Sequence, residues 1–187
     1  VIEYPFTTDF ISGVQQTRDL TTITKSSGYY NASLSTIYIG SNVTSIGSEG
    51  LKYCASLTSV TMSSSVTSIG DQAFRSANQL TSITIPDSVT TIGDFGFANA
   101  GLTSITIPDS VTSLGSSAFY YCGSLTSVTL SSNITSIGSN SFYYCSSLTS
   151  LTIPNSVTSI GNRALSKCGS LTSITIPSGV TSIGSNA

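Results

Sequence analysis

The sequence predicts a repeat solenoid: a parallel β-solenoid of about seven 23-residue coils, each closed by a short helical turn. Three observations predict it. A leucine opens near-identical phrases at Leu34, Leu57, Leu80, Leu102, Leu125, Leu148 and Leu171, at intervals of 23, 23, 22, 23, 23 and 23 residues. A fixed period of that length marks stacked structural repeats. Within the unit L-T-S-I-T-I-P-x-S-V-T-S-I-G-x-x-A-F-x-x-C-x-x, apolar residues alternate with hydroxyls, as on a strand with one buried face. Glycine holds the fourteenth position of all seven copies, from Gly47 to Gly184.

Residues 1–33 break the period, although Leu20-Thr-Thr-Ile23-Thr24 echoes a strand opening. They are expected to form an N-terminal cap, because the terminal repeats of a solenoid are usually atypical. Residues 34–187 carry the repeats. Positions 1, 4 and 6 are apolar (Leu102, Ile105 and Ile107 in one copy) and form a first strand whose outward neighbours are hydroxyls such as Ser82 and Thr84. Proline at position 7 (Pro86, Pro108, Pro154, Pro177) ends that strand where no donor is needed. A second short strand follows, with Val111 and Leu114 inward and Thr112 outward. The invariant glycine marks a corner that needs either positive φ or a close approach between coils. A-F-x-x-C then reads as a short helical turn, with Phe119 or Phe142 filling the centre. A single coil buries too little apolar surface to offset its chain entropy, so stability must come from stacking on neighbours. The expected hand is right-handed. The chain begins with Val1 and stops at Ala187, position 17 of an incomplete last repeat, so it reads as a processed or truncated piece of a longer array.

The pattern LxxIxIP…VxxIGxxAFxxC over residues 34–187 resembles the BspA-like leucine-rich repeats, also called the treponemal class. It departs from that pattern at Leu51 and Leu165 in place of Phe, and at Ala77 and Ala100 in place of Cys. The resemblance implies a leucine-rich-repeat solenoid with no catalytic residues to carry over. It also implies secreted or cell-surface proteins that adhere to matrix proteins, other cells or polymers.

Composition excludes several other functions. Only 7% of residues are charged and the net charge is −2, which leaves no basic face for nucleic acid. No apolar run approaches the roughly 18–20 residues that span a bilayer, so no membrane insertion is expected. There is no His, so a Ser-His-Asp arrangement is impossible. No G-x-G-x-x-G or Walker loop exists either, and no cofactor is expected. Lys25, Lys52 and Lys167 are expected on separate surfaces, which leaves a Ser-Lys dyad without support. The chain reads as a non-enzyme.

Candidate binding residues come from the outward columns. Tyr120, Tyr121, Tyr143 and Tyr144, at positions 19 and 20, are expected to form one aromatic strip, with Tyr53 in an earlier coil and Tyr29 and Tyr30 in the lead-in. Tyrosine is enriched at interfaces, although packing over the turn explains the cluster equally well. Position 5 forms a ladder of Tyr38, Thr61, Thr84, Thr106, Thr129, Thr152 and Thr175, and a second threonine ladder runs from Thr44 to Thr181. These read as β-propensity on a solvated face, as an uncharged contact surface for protein or glycan, or, most remotely, as an ice-binding lattice.

Other columns have structural readings. Cys54, Cys122, Cys145 and Cys168 share position 21 with Ala77 and Ala100, so they read as small core residues, although adjacent ones fall within disulfide range. Zinc-type spacings are absent. Asp71 with Asp94, and Asp87 with Asp109, stack in pairs. Calcium or a glycosidase-like acid pair would use such oxygens, but solvated surface charge is the plainer reading, and no metal site is expected. Asn42 and Asn133 share position 9 with serines and read as an inward polar ladder. They also lie in glycosylation sequons, as does Asn31, the one site where the reading leaves room for a glycan.

Together these readings describe a non-catalytic secreted or cell-surface module that binds proteins or glycans of a cell surface or matrix. A structural subunit of an extracellular fibre or surface layer, self-associating end to end, is the alternative.

Overall fold

The computed structural model describes strands at residues 2–4, 9–11, 14–16 and 22–23 and the continuous segment 32–187. Lys25, Tyr29, Tyr30 and Asn31 lie outside the described residues.

Each coil sends its chain forward by one repeat and pairs in parallel with the next. In the first column, Thr36–Ile39 pairs with Ser59–Met62, placing Ile37 opposite Val60. Ser104–Thr106 pairs with Ser127–Thr129, and that strand with Ser150–Leu151. The second column consists of two ladders, one through Ser45–Ile46, Ser68–Ile69, Thr91–Ile92 and Ser113–Leu114, the other through Ser136–Ile137, Ser159–Ile160 and Ser182–Ile183. Residues one repeat apart are therefore neighbours along the column, at about 4.8 Å per step.

The lead-in joins both columns. Ile2–Tyr4 pairs with residues 37–39, and Thr22–Ile23 pairs with Ser45–Ile46. Thr22–Ile23 thus serves as a second strand, where the sequence echo had indicated a strand opening. Nine residues separate Ile37 from Ile46, but 21 separate Ile2 from Ile23. The extra length contains an antiparallel hairpin, Asp9–Ile11 with Val14–Gln16.

The first strands differ in length from coil to coil. Where Ser63 stands at position 7, the strand reaches Met62 and the Ser63 N–H donates to Ile39 O at 3.0 Å. The strands end at Thr106 and Leu151 in coils with proline at position 7, and at Thr129 in the coil with Ser131 there. In the 22-residue coil opened by Leu80, residues 82–85 enter no ladder, so the first column is interrupted while the second continues through Thr91–Ile92.

The A-F-x-x-C segment is not helical; among the described residues there is no helix. A helix would return every N–H to its own turn. Here alternate amides cross to the next coil: Leu51 N donates to Ala73 O and Tyr53 N to Arg75 O, both at 2.8 Å. The intervening Gly50, Lys52 and Cys54 amides close local turns onto residues 47, 49 and 51. Positions 16 and 20 take left-handed backbone to achieve this, as in Ser117 and Tyr121, both at φ 58°. Non-glycine residues there cost on the order of 1–2 kcal/mol each, which the inter-coil bonds must offset.

The invariant glycine answers to close approach. A Cβ on Gly115 would lie 2.4 Å from Asp94 N, and one on Gly161 would lie 2.5 Å from Ser139 N. Neither glycine has left-handed φ.

Inside the coils, Phe74, Phe97, Phe119 and Phe142 stack face to face, with centroids 5.1, 5.6 and 5.4 Å apart, all fully buried. The leucines of position 1 are buried from Leu34 to Leu148. None of the four cysteines forms a disulfide among the described residues. Cys122, Cys145 and Cys168 each direct Sγ at the carbonyl of the phenylalanine in the preceding coil, at 3.0–3.2 Å. Burial pushes the Cys122 thiol up to about 12 and raises Cys145 and Cys168 as well.

Three outcomes follow from this packing. Gly115→Ala forces a methyl into backbone and is expected to cost about 3 kcal/mol in urea unfolding, whereas Gly169→Ala, with nothing within 4 Å, stays within about 0.5 kcal/mol. A thiol raised by folding stabilises the protein below its unfolded pKa and loses that contribution as pH climbs towards the folded value. Stability should therefore fall between about pH 9 and 12, and Cys122→Ala, which the Ala77 and Ala100 coils already tolerate, should flatten that fall. Alkylation of the folded protein at pH 8, followed by mass spectrometry, should label half-buried Cys168 ahead of Cys122 and Cys145.

Candidate functional site

The outward side chains form three surfaces: the hydroxyl face of the first strands, the corner columns, and the flank made by positions 16, 19 and 20. They differ in how far the fold has already used their polar groups.

On the first-strand face, Thr61, Thr84, Thr106, Thr129 and Thr152 are all exposed, and Tyr38 is 37% exposed. None of these threonine hydroxyls makes a hydrogen bond among the described residues. The ladder from Thr44 to Thr181 differs. Thr67, Thr158 and Thr181 donate Oγ1 to the carbonyl of the same residue one coil earlier, at 3.1–3.2 Å. Those hydroxyls serve stacking. The position-5 row is not one unbroken plane, because the coil of Thr84 leaves the strand ladder. A shallow groove of about 350 Å³ opens there, lined by Ile83, Thr84, Asp87, Ser104, Thr106 and Pro108.

In the corner columns, Ser88, Ser110 and Ser156 donate Oγ to the valine or isoleucine carbonyl of the preceding coil at 2.6–2.7 Å, as an inward polar ladder requires. Asn42 and Asn133 do not join it: both are exposed, and Asn133 Nδ2 donates outward to Asp109 O at 2.7 Å. An asparagine amide is longer and bulkier than a serine hydroxyl. In its coil Ser131, at position 7, takes over by donating to Val111 O at 2.6 Å.

The acidic pairs also have structural work. Asp71 Oδ1 accepts the Asp94 N–H at 2.8 Å and Asp94 Oδ1 accepts the Ser116 N–H at 2.7 Å; Asn162 does the same for Ser185. Asp109 accepts the Ser132 N–H, which holds its carboxyl below the usual range. No three His, Cys, Asp or Glu side chains converge among the described residues.

The flank is the distinctive surface. Tyr120 stacks on Tyr143 at 5.3 Å and Tyr121 on Tyr144 at 4.6 Å, so the four expected tyrosines form one strip. Tyr121 and Tyr144 are 40% and 43% exposed, and desolvation, followed by the neighbouring phenols of Tyr120, Tyr143 and Tyr144, raises the Tyr121 hydroxyl, which stays protonated. Phe95 extends the strip edge-on to Tyr120 at 6.0 Å, and the Arg75 guanidinium lies 5.6 Å from the Phe95 ring. Lys52 sits nearly buried against Glu49 (2.7 Å) and Gln72 (2.8 Å), over Tyr53. Lys52 and Lys167 therefore share this flank, at positions 19 and 20, where separate surfaces had been expected. They stay several coils apart. Sequence reasoning missed Arg75, Phe95 and Arg163, although aligning the columns places each at position 16 or 19.

Comparison with known proteins gives a consistent set. The family model described as BspA type leucine-rich repeat region matches residues 3–122 and 67–187, in six copies. The chain is similar to a leucine-rich repeat protein from Bacteroides ovatus ATCC 8483, with TM-score 0.87 and 25% identity over 98% of this chain and 47% of that one. It is similar to the leucine-rich repeat protein of T. pallidum, with TM-score 0.76 and 29% identity over 80% of this chain and 72% of that one. The pneumococcal vaccine antigen PcpA shares the fold at 22% identity and TM-score 0.60, over 95% of this chain and 42% of that one. The chain thus spans about half the length of the Bacteroides ovatus protein. No curated protein matches it.

The carboxylate geometry separates a structural role from cation binding. Asp94→Asn, which keeps the acceptor as Asn162 does, should leave the urea midpoint unchanged. Asp94→Ala should cost about 1 kcal/mol by orphaning the Ser116 amide. Added Ca²⁺ should shift neither midpoint.

Proposed function

The chain belongs to the BspA-type leucine-rich repeat family, and from that premise we propose that it is a non-catalytic module that binds macromolecules at a cell surface. One observation carries the reading. Tyr120, Tyr121, Tyr143 and Tyr144 are held as a stacked strip, Tyr121 and Tyr144 exposed and Tyr120 and Tyr143 half-buried, on a backbone that the coil-to-coil ladder makes rigid. Aromatic area fixed in advance binds at low entropy cost.

Surface or extracellular location rests on the family premise, and protein or glycan partners rest on the neutral, hydroxyl-rich skin. The position-5 threonines form a second, weaker contact surface: their hydroxyls are free for a ligand, but the interrupted ladder divides their row. The same division counts against ice binding, which needs a regular plane. Absence of His and the structural use of the stacked acids leave no acid–base constellation among the described residues.

Adhesion to immobilised matrix proteins and to polysaccharide-coated surfaces tests the assignment. Replacing Tyr120, Tyr121, Tyr143 and Tyr144 by Ser should lower attachment at least about tenfold, the equivalent of ~1.4 kcal/mol. Thr106→Lys with Thr129→Lys on the other face should change it less. Undiminished attachment of the tyrosine variant removes the strip as the binding site.

A further inference from the structure

The described cations are unevenly placed. Lys52, Arg75, Arg163 and Lys167 all project from positions 16, 19 or 20, the columns of the tyrosine strip, and none lies on the first-strand face. Lys52 is consumed by Glu49 and Gln72. Arg75 donates to Gln72 Oε1 at 2.8 Å and has no carboxylate partner among the described residues. Arg163 and Lys167 are exposed and make no side-chain hydrogen bond or ion pair there.

The neighbouring position 15 changes along the solenoid. It is acidic at Asp71 and Asp94, whose carboxylates accept backbone amides, and it becomes Ser116, Ser139 and Asn162 beyond them. Positive charge is therefore least compensated at the Arg163–Lys167 end. The register brings Lys167 next to Tyr144: Tyr144 N donates to Ser166 O at 3.0 Å. From Arg75 to Arg163 is four coil steps, about 19 Å. Along that line the order is cation, Phe95, two tyrosine pairs, then two cations.

We propose that this flank binds an acidic polysaccharide, a chain of carboxylated sugars lying along the solenoid axis. The inference rests on the tyrosine strip being the binding surface and adds the chemistry of its ligand. Two columns of phenol hydroxyls, repeated over two successive coils, present a matching donor–acceptor pattern to a repeated polyol. The terminal cations meet its carboxylates. An acidic peptide fits less well. The amides of Tyr53, Arg75, Tyr120, Tyr121, Tyr143 and Tyr144 already donate to carbonyls, so along the aromatic strip itself the main chain is not available for strand addition.

Binding of the intact chain to immobilised polygalacturonate, dextran and poly-glutamate decides it. Polygalacturonate should bind, weaken as salt rises, and exceed the other two by about tenfold or more. Arg163→Gln with Lys167→Gln should lose about tenfold in affinity, and Ser166→Lys, adding a cation to the same flank, should gain. The gain variant keeps the test decisive if the loss variants prove less stable. Loss of binding in Tyr121→Ser with Tyr144→Ser, but none in the Arg163/Lys167 variant, keeps the strip and overturns the acidic ligand. Poly-glutamate binding as tightly as polygalacturonate overturns the saccharide. No binding to polygalacturonate overturns the proposal outright.

Discussion

Backbone hydrogen bonding between successive coils is the constraint from which the rest of this molecule follows. A coil of 23 residues cannot close its own amides and carbonyls, so it hands them to the coils before and after. The two strand columns do this conventionally. The turn segment does it by alternating local turns with outward donation, at the expense of two left-handed residues per coil. Once those bonds fix the step between coils, the glycine column must stay glycine, the phenylalanines must stack parallel, and each outward column becomes a line of like residues. Stability is then a sum over neighbouring coils, with no interaction spanning the whole column.

Much of this was legible in the sequence, because a period converts one coil's pattern into seven independent repetitions of it. The inward positions 1, 4, 6, 10 and 13, the unbridged core thiols of position 21 and the stacked tyrosines needed only the alignment and the strand alternation. The turn was less legible. A-F-x-x-C spaces its apolar residues as a helix would, at i and i+3, and nothing local distinguishes a helix from a segment that gives half its amides away. That choice is made by the neighbouring coil. Asn42 and Asn133 were misplaced for a similar reason: a column occupied by serine implied an inward role, but the longer amide turns outward and Ser131 reaches the carbonyl instead.

On the flank, the tyrosines were visible as a cluster because they repeat within their own coils. Arg75, Phe95 and Arg163 are single occurrences in columns of otherwise unrelated residues. Only contact across coils, such as Phe95 edge-on to Tyr120 with Arg75 over its ring, joins them to the strip. A repeat fold thus separates two kinds of information. The consensus carries the architecture, and the departures from it, coil by coil, carry whatever the surface recognises.

The lead-in shows how far such departures can go. Its strands at residues 2–4 and 22–23 keep the register of a normal coil while a hairpin occupies the chain between them. The bend joining first strand to second is therefore a place where foreign sequence can be spliced in while pairing on either side is preserved. A designer wishing to display a recognition loop from this scaffold, or a genome diversifying one, has a ready insertion point in every coil, and the inserted segment would project from the same edge each time.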